Sequence, residues 1–446
     1  MTLIRLAIIA LMIAFTISCN KSEPDATKVA NAPFDNGTSE RNLIVVMSDV
    51  HLGADLKYTE TNENLPYLEK FLENIRTSKN VKELIIAGDL LDEWFVPANV
   101  DTYNGKDQLD FVKRIAETNK GVIDAFNKII KEGNIKVTYV PGNHDLGITA
   151  ASVESIMPGI NQARDSIQGL GTYSPSILPE LAVEHGHRYN FFCAPDPISN
   201  KDIAPGSIMP PGYFFTRMGA LHVVQGCKKS IDSIIKLIID EKADESQILA
   251  YKYWKSWIWS INYLPVNHKF DEKIFITNID GFTEIYSIND LLPYQQKPNG
   301  PISMKLYNNI QNTWEEREKI NKVMVPISVA HAIDSVASNF ETDNQAKVQY
   351  FLNPNSDKRL VIFGHSHQAK IEASKNTKGE KCIYTNSGTW IDKKDHGGSD
   401  PNQGKSTMNF VIITPQSKDV KSNTHVKLYH FMKGVVTQMQ ADSLRI

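Results

Sequence analysis

Five short clusters hold most of the side chains that could bind a metal ion or move a proton. They are Ser48-Asp49-Val50-His51, Gly88-Asp89-Leu90-Leu91-Asp92, Gly142-Asn143-His144-Asp145, Val183-Glu184-His185-Gly186-His187 and Gly364-His365-Ser366-His367. Carboxylate and imidazole donors suit divalent zinc, manganese, iron and similar ions. Each cluster alone is weak. A D-x-H is common by chance, G-N-H-D fits a solvated turn, and a lone histidine is more often structural than a ligand. Together they offer six or seven donors with a well-placed shared carboxylate. That number suggests a pair of ions, about 3.5–4 Å apart in enzymes that use two. Asp49 and His51 are two residues apart, as are His365 and His367. At a strand end, such a spacing projects both side chains to one side. Gly88, Gly142 and Gly364 leave room where the backbone turns sharply or approaches an ion.

Positioning these clusters requires strands that end beside one another. Short β-branched runs at 42–47, 83–87 and 135–140 predict buried strands directly before the first three clusters. Between them, apolar residues recur at helical spacing over 65–76 and 107–132. The alternation predicts an α/β sheet with helices on its faces, whose binding crevice lies at the carboxyl ends of the strands. Further strands are predicted at 360–363, 382–385, 409–413 and 426–431, making the last part β-rich. Residues 201–350 differ in character and read as an insertion or cap between catalytic parts 41–200 and 351–446. Amphipathic helical segments are expected near 228–263, where Trp254, Trp257, Trp259, Tyr251, Tyr253 and Tyr263 cluster. That aromatic enrichment predicts packing of a helical subdomain, with a cap that touches substrate or membrane as the sharper alternative.

The chain has 446 residues, a formal net charge of −3 and 22% charged residues. Nothing here forms the clustered basic excess that nucleic-acid binding needs. An anionic substrate therefore requires a local cationic feature, and bound metal ions are one. Residues 1–19 combine Arg5 with an apolar run from Leu6 to Ile17, too short to span a bilayer and suited to a secretory signal. Ser18 before Cys19 resembles a bacterial lipoprotein cleavage site, which implies a lipidated Cys19 and an exported protein anchored in the cell envelope. Residues 20–40, rich in Asn, Ser, Pro and Asp, are expected to be a flexible tether. Cys193, Cys227 and Cys382 have no zinc spacing and read as small buried hydrophobes.

The ordered set D-x-H, G-D-x-x-D, G-N-H-D, H-G-H and G-H-S-H resembles the calcineurin-like metallophosphoesterase superfamily, as does Tyr384-Thr385-Asn386-Ser387-Gly388-Thr389-Trp390. The similarity covers 41–195 and about 355–435. It implies a four-layer α/β/β/α sandwich with a largely helical insertion. It also implies two divalent ions, manganese, iron or zinc. One would be held by Asp49, His51 and His367 and the other by Asn143, His185 and His365, with Asp89 bridging. His144 would face the leaving-group oxygen, oriented by Asp145 or Asp92, while His187 is either an outer residue or a substrate contact. The implied activity is hydrolysis of phosphomonoesters or phosphodiesters, a water activated between the ions attacking phosphorus in line. A metal-stabilised binding lipoprotein without catalysis is the competing reading. Glu93 and Asp145 stand where the Ser/Thr phosphatases of the superfamily carry Arg and Glu, which disfavours that branch. The run from Gly88 to Trp94 is more similar to UDP-diacylglucosamine pyrophosphohydrolases, whose cytoplasmic substrate conflicts with an export signal.

Overall fold

A computed structural model describes residues 33–240, 242–336, 339–392, 408–416, 422–432 and 434–446. The expected signal segment and Cys19 lie outside the described residues. In chain order, the strands of the catalytic part begin with β1 (Leu43–Met47), β2 (Val81–Ala87), β3 (Lys136–Val140), β4 (Asn161–Gln162) and β5 (Leu181–Val183). Its helices are α1 (Leu65–Thr77), α2 (Gln108–Thr118), α3 (Lys120–Glu132) and α4 (Ala150–Ile156). The insertion carries α5 (Pro211–Gln225), α6 (Glu245–Tyr263), α7 (Trp314–Ile320), α8 (Val329–Asp334) and α9 (Asn339–Ala346). It also has two small ribbons, β6 (Phe275–Ile276) with β7 (Ile285–Tyr286) and β8 (Tyr294–Gln295) with β9 (Ile302–Ser303). The chain closes with β10 (Leu360–Phe363), β11 (Lys370–Lys375), β12 (Lys381–Asn386), β13 (Asn409–Thr414), β14 (Thr424–Met432) and β15 (Val435–Leu444).

Two sheets result. The larger has the order β15-β14-β13-β1-β2-β3-β4, parallel from β1 to β4 and antiparallel on the β13 side. The smaller has the order β11-β12-β10-β5. Alternation along the strands decides the layering. Ile44, Val46, Ile85 and Val140 meet Leu181, Val183, Leu360 and Ile362 between the sheets. Val45, Leu84 and Ile86 face the other way, into the core shared with Leu68, Phe71 and Leu72 of α1 and Phe126 of α3. Phe363 and Tyr384 on the outer face of the smaller sheet pack in the core with Tyr350, beyond α9. The order is therefore α/β/β/α, and β1, β2, β3, β5 and β10 run out toward one shared rim.

Three local expectations change. The helical pattern over 107–132 breaks at Asn119, whose amide donates to the Gly53 and Ile115 carbonyls at 2.9 and 2.8 Å. Within 228–263 only α6 is helical, and 227–240 contains no helix or strand. The described end of the tether, 33–40, is fastened. Phe34 is buried, stacking on Phe410 with ring centroids 5.7 Å apart and meeting Phe71 edge-on at 5.8 Å. Asn80 donates from its amide to the Thr38 and Glu40 carbonyls at 2.9 and 2.8 Å. A single ring in a polar stretch has no periodicity to announce it. Of the cysteines, Cys382 is buried, while Cys193 and Cys227 are half-buried. No described helix is long and apolar enough to cross a membrane.

Candidate metal centre

The donors do not stand on strands. β1 ends at Met47 and β10 at Phe363, so Asp49, His51, His365 and His367 lie in the loops beyond. Their direction comes from left-handed backbone, with φ of 54°, 53°, 65° and 57°, and Asp89 after β2 has φ 52°. Strand alternation is therefore not what aims these pairs. A non-glycine residue in that region costs on the order of 1–3 kcal/mol and persists only where surroundings enforce it. Here Val50 and His51 N–H both donate to the Asp89 carbonyl, at 2.8 and 2.9 Å. The Asp49 carbonyl accepts from Trp390 N–H at 3.0 Å and from Thr389 Oγ1 at 2.8 Å. The turn after β12 thus clamps the loop after β1. Glycine is required at two places by close approach: a Cβ on Gly88 would overlap the His185 ring, and one on Gly142 the Asp89 carboxylate.

The seven expected donors come together. His367 Nε2 lies 3.1 Å from Asp49 Oδ1 and 3.3 Å from His51 Nε2. Asn143 Oδ1 lies 2.7 Å from His365 Nδ1 and 3.1 Å from His185 Nε2. Asp89 Oδ2 lies between these groups, 3.1 Å from His185 Nε2 and 3.7 Å from His51 Nε2. Donors that share one ion with bonds of about 2.1 Å stand roughly 3 Å apart, so the spacing fits metal ligation. Asp49–His51–His367 and Asp49–Asp89–His185 each form a compact group of donor atoms. His185 donates Nδ1–H to the Ala87 carbonyl at 2.9 Å, which turns Nε2 inward.

One carboxylate holds two rings. Asp92 Oδ2 is 3.0 Å from His51 Nδ1, and its Oδ1 is 2.9 Å from His144 Nδ1. Trp94 and Phe95 N–H donate to Oδ1 at 3.0 and 2.7 Å and fix the carboxylate. With Nδ1 engaged, Nε2 of each ring is left to face the site. His144 also stacks on Trp94, centroids 5.3 Å apart. The alternative orienter, Asp145, is corrected here: its oxygens accept from Leu90 and Leu91 N–H at 2.9 and 3.3 Å and from Gly142 N–H at 2.5 Å. It ties the loops after β2 and β3 together. His187 is buried, donates Nε2–H to the Gly169 carbonyl at 3.0 Å and has its ring 5.4 Å from that of His185. It is neither a surface residue nor one of the donor groups.

Glu60 was not legible as a site residue. Its Oε2 is 3.4 Å from His51 Nδ1, and it groups with His51, Asp92 and His144. It lies in a polar loop that matches no motif, so only the folded chain brings it in.

The electrostatics favour cation binding. Burial would raise Asp49, but His367 and His185 beside it keep its carboxyl below the ordinary range. Asp89 is held well below, burial being overcome by His185 and His144. Burial opposes the charged form of His185, yet Asp89 and Asp49 push it up to about 9. Burial likewise opposes charge on His144, and Asp92 with Asp89 raises it to about 10. His365 goes the other way, down to about 3, through burial and the neighbouring His185. The pocket thus concentrates ionised carboxylates whose charge is balanced by protons on imidazoles.

The sequence profile of the calcineurin-like phosphoesterase family matches residues 43–369, running through the insertion and ending just before β11. No curated protein matches the chain significantly. Among solved structures, the chain is similar to the crystal structure of Pseudomonas putida nuclease MPE, with 19% identity and a TM-score of 0.19. That match covers 32% of this chain and 53% of the nuclease, a likeness too slight to bear on fold or activity. The family match over most of the chain, and a rim that gathers aspartate, asparagine and histidine donors, place it: this chain belongs to the calcineurin-like phosphoesterase family.

Proposed function

We propose that the chain is a hydrolase of phosphomonoesters or phosphodiesters that works with two divalent ions, manganese, iron or zinc. The observation that carries this reading is the Asp89 carboxylate lying between two donor groups. Asp49, His51 and His367 would hold one ion, and Asn143, His185 and His365 the other. When bound, such ions lower the pKa of water and offset the charge of a phosphate. The chain's own part is positional and acid–base. Asn143 supplies a neutral donor, which leaves net positive charge for the phosphate. Asp92 fixes His144 by Nδ1, so its Nε2–H can protonate the departing oxygen. The pairing with Asp92 keeps that proton on the ring at neutral pH, as a general acid requires. A second part of the proposal, export with anchoring through Cys19, is supported by the pattern of residues 1–19. A screen of purified protein against phosphate monoesters, diesters and nucleotide diphosphates, with several divalent metals restored, tests the activity. Turnover that depends on added metal is expected; no turnover of any ester under any metal contradicts it.

Two outcomes follow from the local geometry. Asp92→Asn keeps the shape but places an amide against one of two rings that need an acceptor. Activity is expected to fall about 10–100-fold, with weaker metal affinity, as for other partners behind a ligand histidine. Steady-state kinetics with metal titration checks this, and an unaltered variant removes the positioning role. Metal uptake should also release protons. The Asp49 and Asp89 carboxyls are already ionised, whereas His185, raised to about 9, is protonated at pH 7 and must lose its proton to bind an ion. Affinity should therefore rise with pH up to about 9 and then level. Calorimetric titration in two buffers of different ionisation enthalpy reads the proton count, and equal heats in both would contradict it.

A further inference from the structure

The segment 228–239, between α5 and α6, is apolar on its open side without being loose. Leu237 is buried against Trp254, Ala250 and Ile302. The Ile238 backbone is tied to the Gln295 side chain, donating N–H at 3.0 Å and accepting at 3.0 Å. Yet Ile231, Ile235 and Ile238 are 59%, 73% and 46% exposed. Three outward aliphatic side chains in eight residues exceed the scattered exposure of an ordinary surface. Lys228, Lys229 and Lys236 stand exposed among them, and among the described residues none of these ammonium groups is in an ion pair. Asp232 accepts from Ser233 and Phe270 N–H, which keeps it ionised, and Asp240 accepts from Lys242 N–H; within 228–239 three lysines still outweigh the one carboxylate. The same lysines, with Asp232, line a hollow of about 400 Å3 whose other walls include Trp254, Ile258 and Pro265. Next to Ile258, Trp259 is 52% exposed.

From this juxtaposition we infer that the strap 228–239 docks the insertion onto a bilayer containing anionic lipid. Aliphatic tips beside unpaired ammonium groups match the boundary between acyl chains and phosphate headgroups. The hollow beneath offers the lysines a place to close on a headgroup phosphate. The inference uses neither the metal centre nor Cys19. It would set the cap against the membrane even where no acyl chain is attached.

The test uses the chain from residue 20 onward, which retains every described residue and carries no acyl group. Cosedimentation is measured with vesicles of phosphatidylcholine alone and with vesicles enriched in phosphatidylglycerol. Binding is expected only to the second, weakening as salt is raised. Lys228→Gln with Lys229→Gln and Lys236→Gln should weaken it on the order of a hundredfold. Ile231→Ser with Ile235→Ser and Ile238→Ser should abolish what remains. All six side chains are exposed, so the melting temperature should not move. Failure to bind the anionic vesicles, equal binding to both kinds, or variants that bind like the parent would overturn the inference. So would light scattering showing that the isoleucines instead hold two copies of this chain together.

Discussion

Replacing Asp89 with Asn is expected to remove metal and turnover together. The Oδ2 atom lies 3.1 Å from one donor group's histidine and 3.7 Å from the other's. Asp49 Oδ1 reaches both groups too, 3.1 Å from His367 Nε2 and 4.0 Å from His185 Nε2, but Asp89 Oδ2 is the one closest to His185. Oδ1 accepts the His144 backbone N–H at 2.8 Å, so the same carboxylate also fixes the loop that carries His144. An amide keeps the volume but removes the charge that both ions would share. The loss in kcat/KM should exceed the roughly hundredfold that an outer partner of a ligand costs. Metal content should fall from two ions toward one or none. Elemental analysis and kinetics on the same preparation read both. A variant with full metal and full activity would remove the bridging role.

His144→Ala should separate the two properties. Its ring reaches Asp92 through Nδ1 and stands with His51, Glu60 and Asp92, outside the two donor groups that contain Asp49, so metal held by those two groups should stay. Loss of a general acid typically costs on the order of 10²–10⁴ in rate. The loss should depend on the leaving group. An alkyl ester, whose alkoxide needs a proton, should suffer fully, whereas a nitrophenyl ester, whose phenolate leaves without one, should suffer much less. An equal loss for both esters would mean that the ring positions substrate and donates nothing.

Much of this site could be read before any fold was known. The first three clusters follow apolar, β-branched runs that read as buried strands, and parallel strands end at one rim. His185, His365 and His367 follow β5 and β10 of the second sheet, which end at the same rim. Hence Asp49, Asp89, Asn143, His185, His365 and His367 meet although more than three hundred residues separate them in the chain. What lay out of reach was set by tertiary packing. Left-handed backbone at Asp49 is held by the clamp from Thr389 and Trp390, contributed from the far end of the sequence. Asp92 and Asp145 are chemically alike and both end a motif, so only loop geometry assigns the His144 contact to Asp92. Glu60 belongs to no motif. The insertion misled most: helix was expected from about 228, yet 228–239 is a strap pinned by Leu237 and Gln295.

The central claim is that one rim holds a pair of ions joined by Asp89. It is tested most directly by crystals grown with manganese or zinc, using anomalous scattering at the metal edge. Two peaks are expected, about 3.5–4 Å apart as in other two-ion hydrolases, with the Asp89 carboxylate between them. A single peak at saturating metal, or two peaks with Asp89 touching neither, would contradict the account.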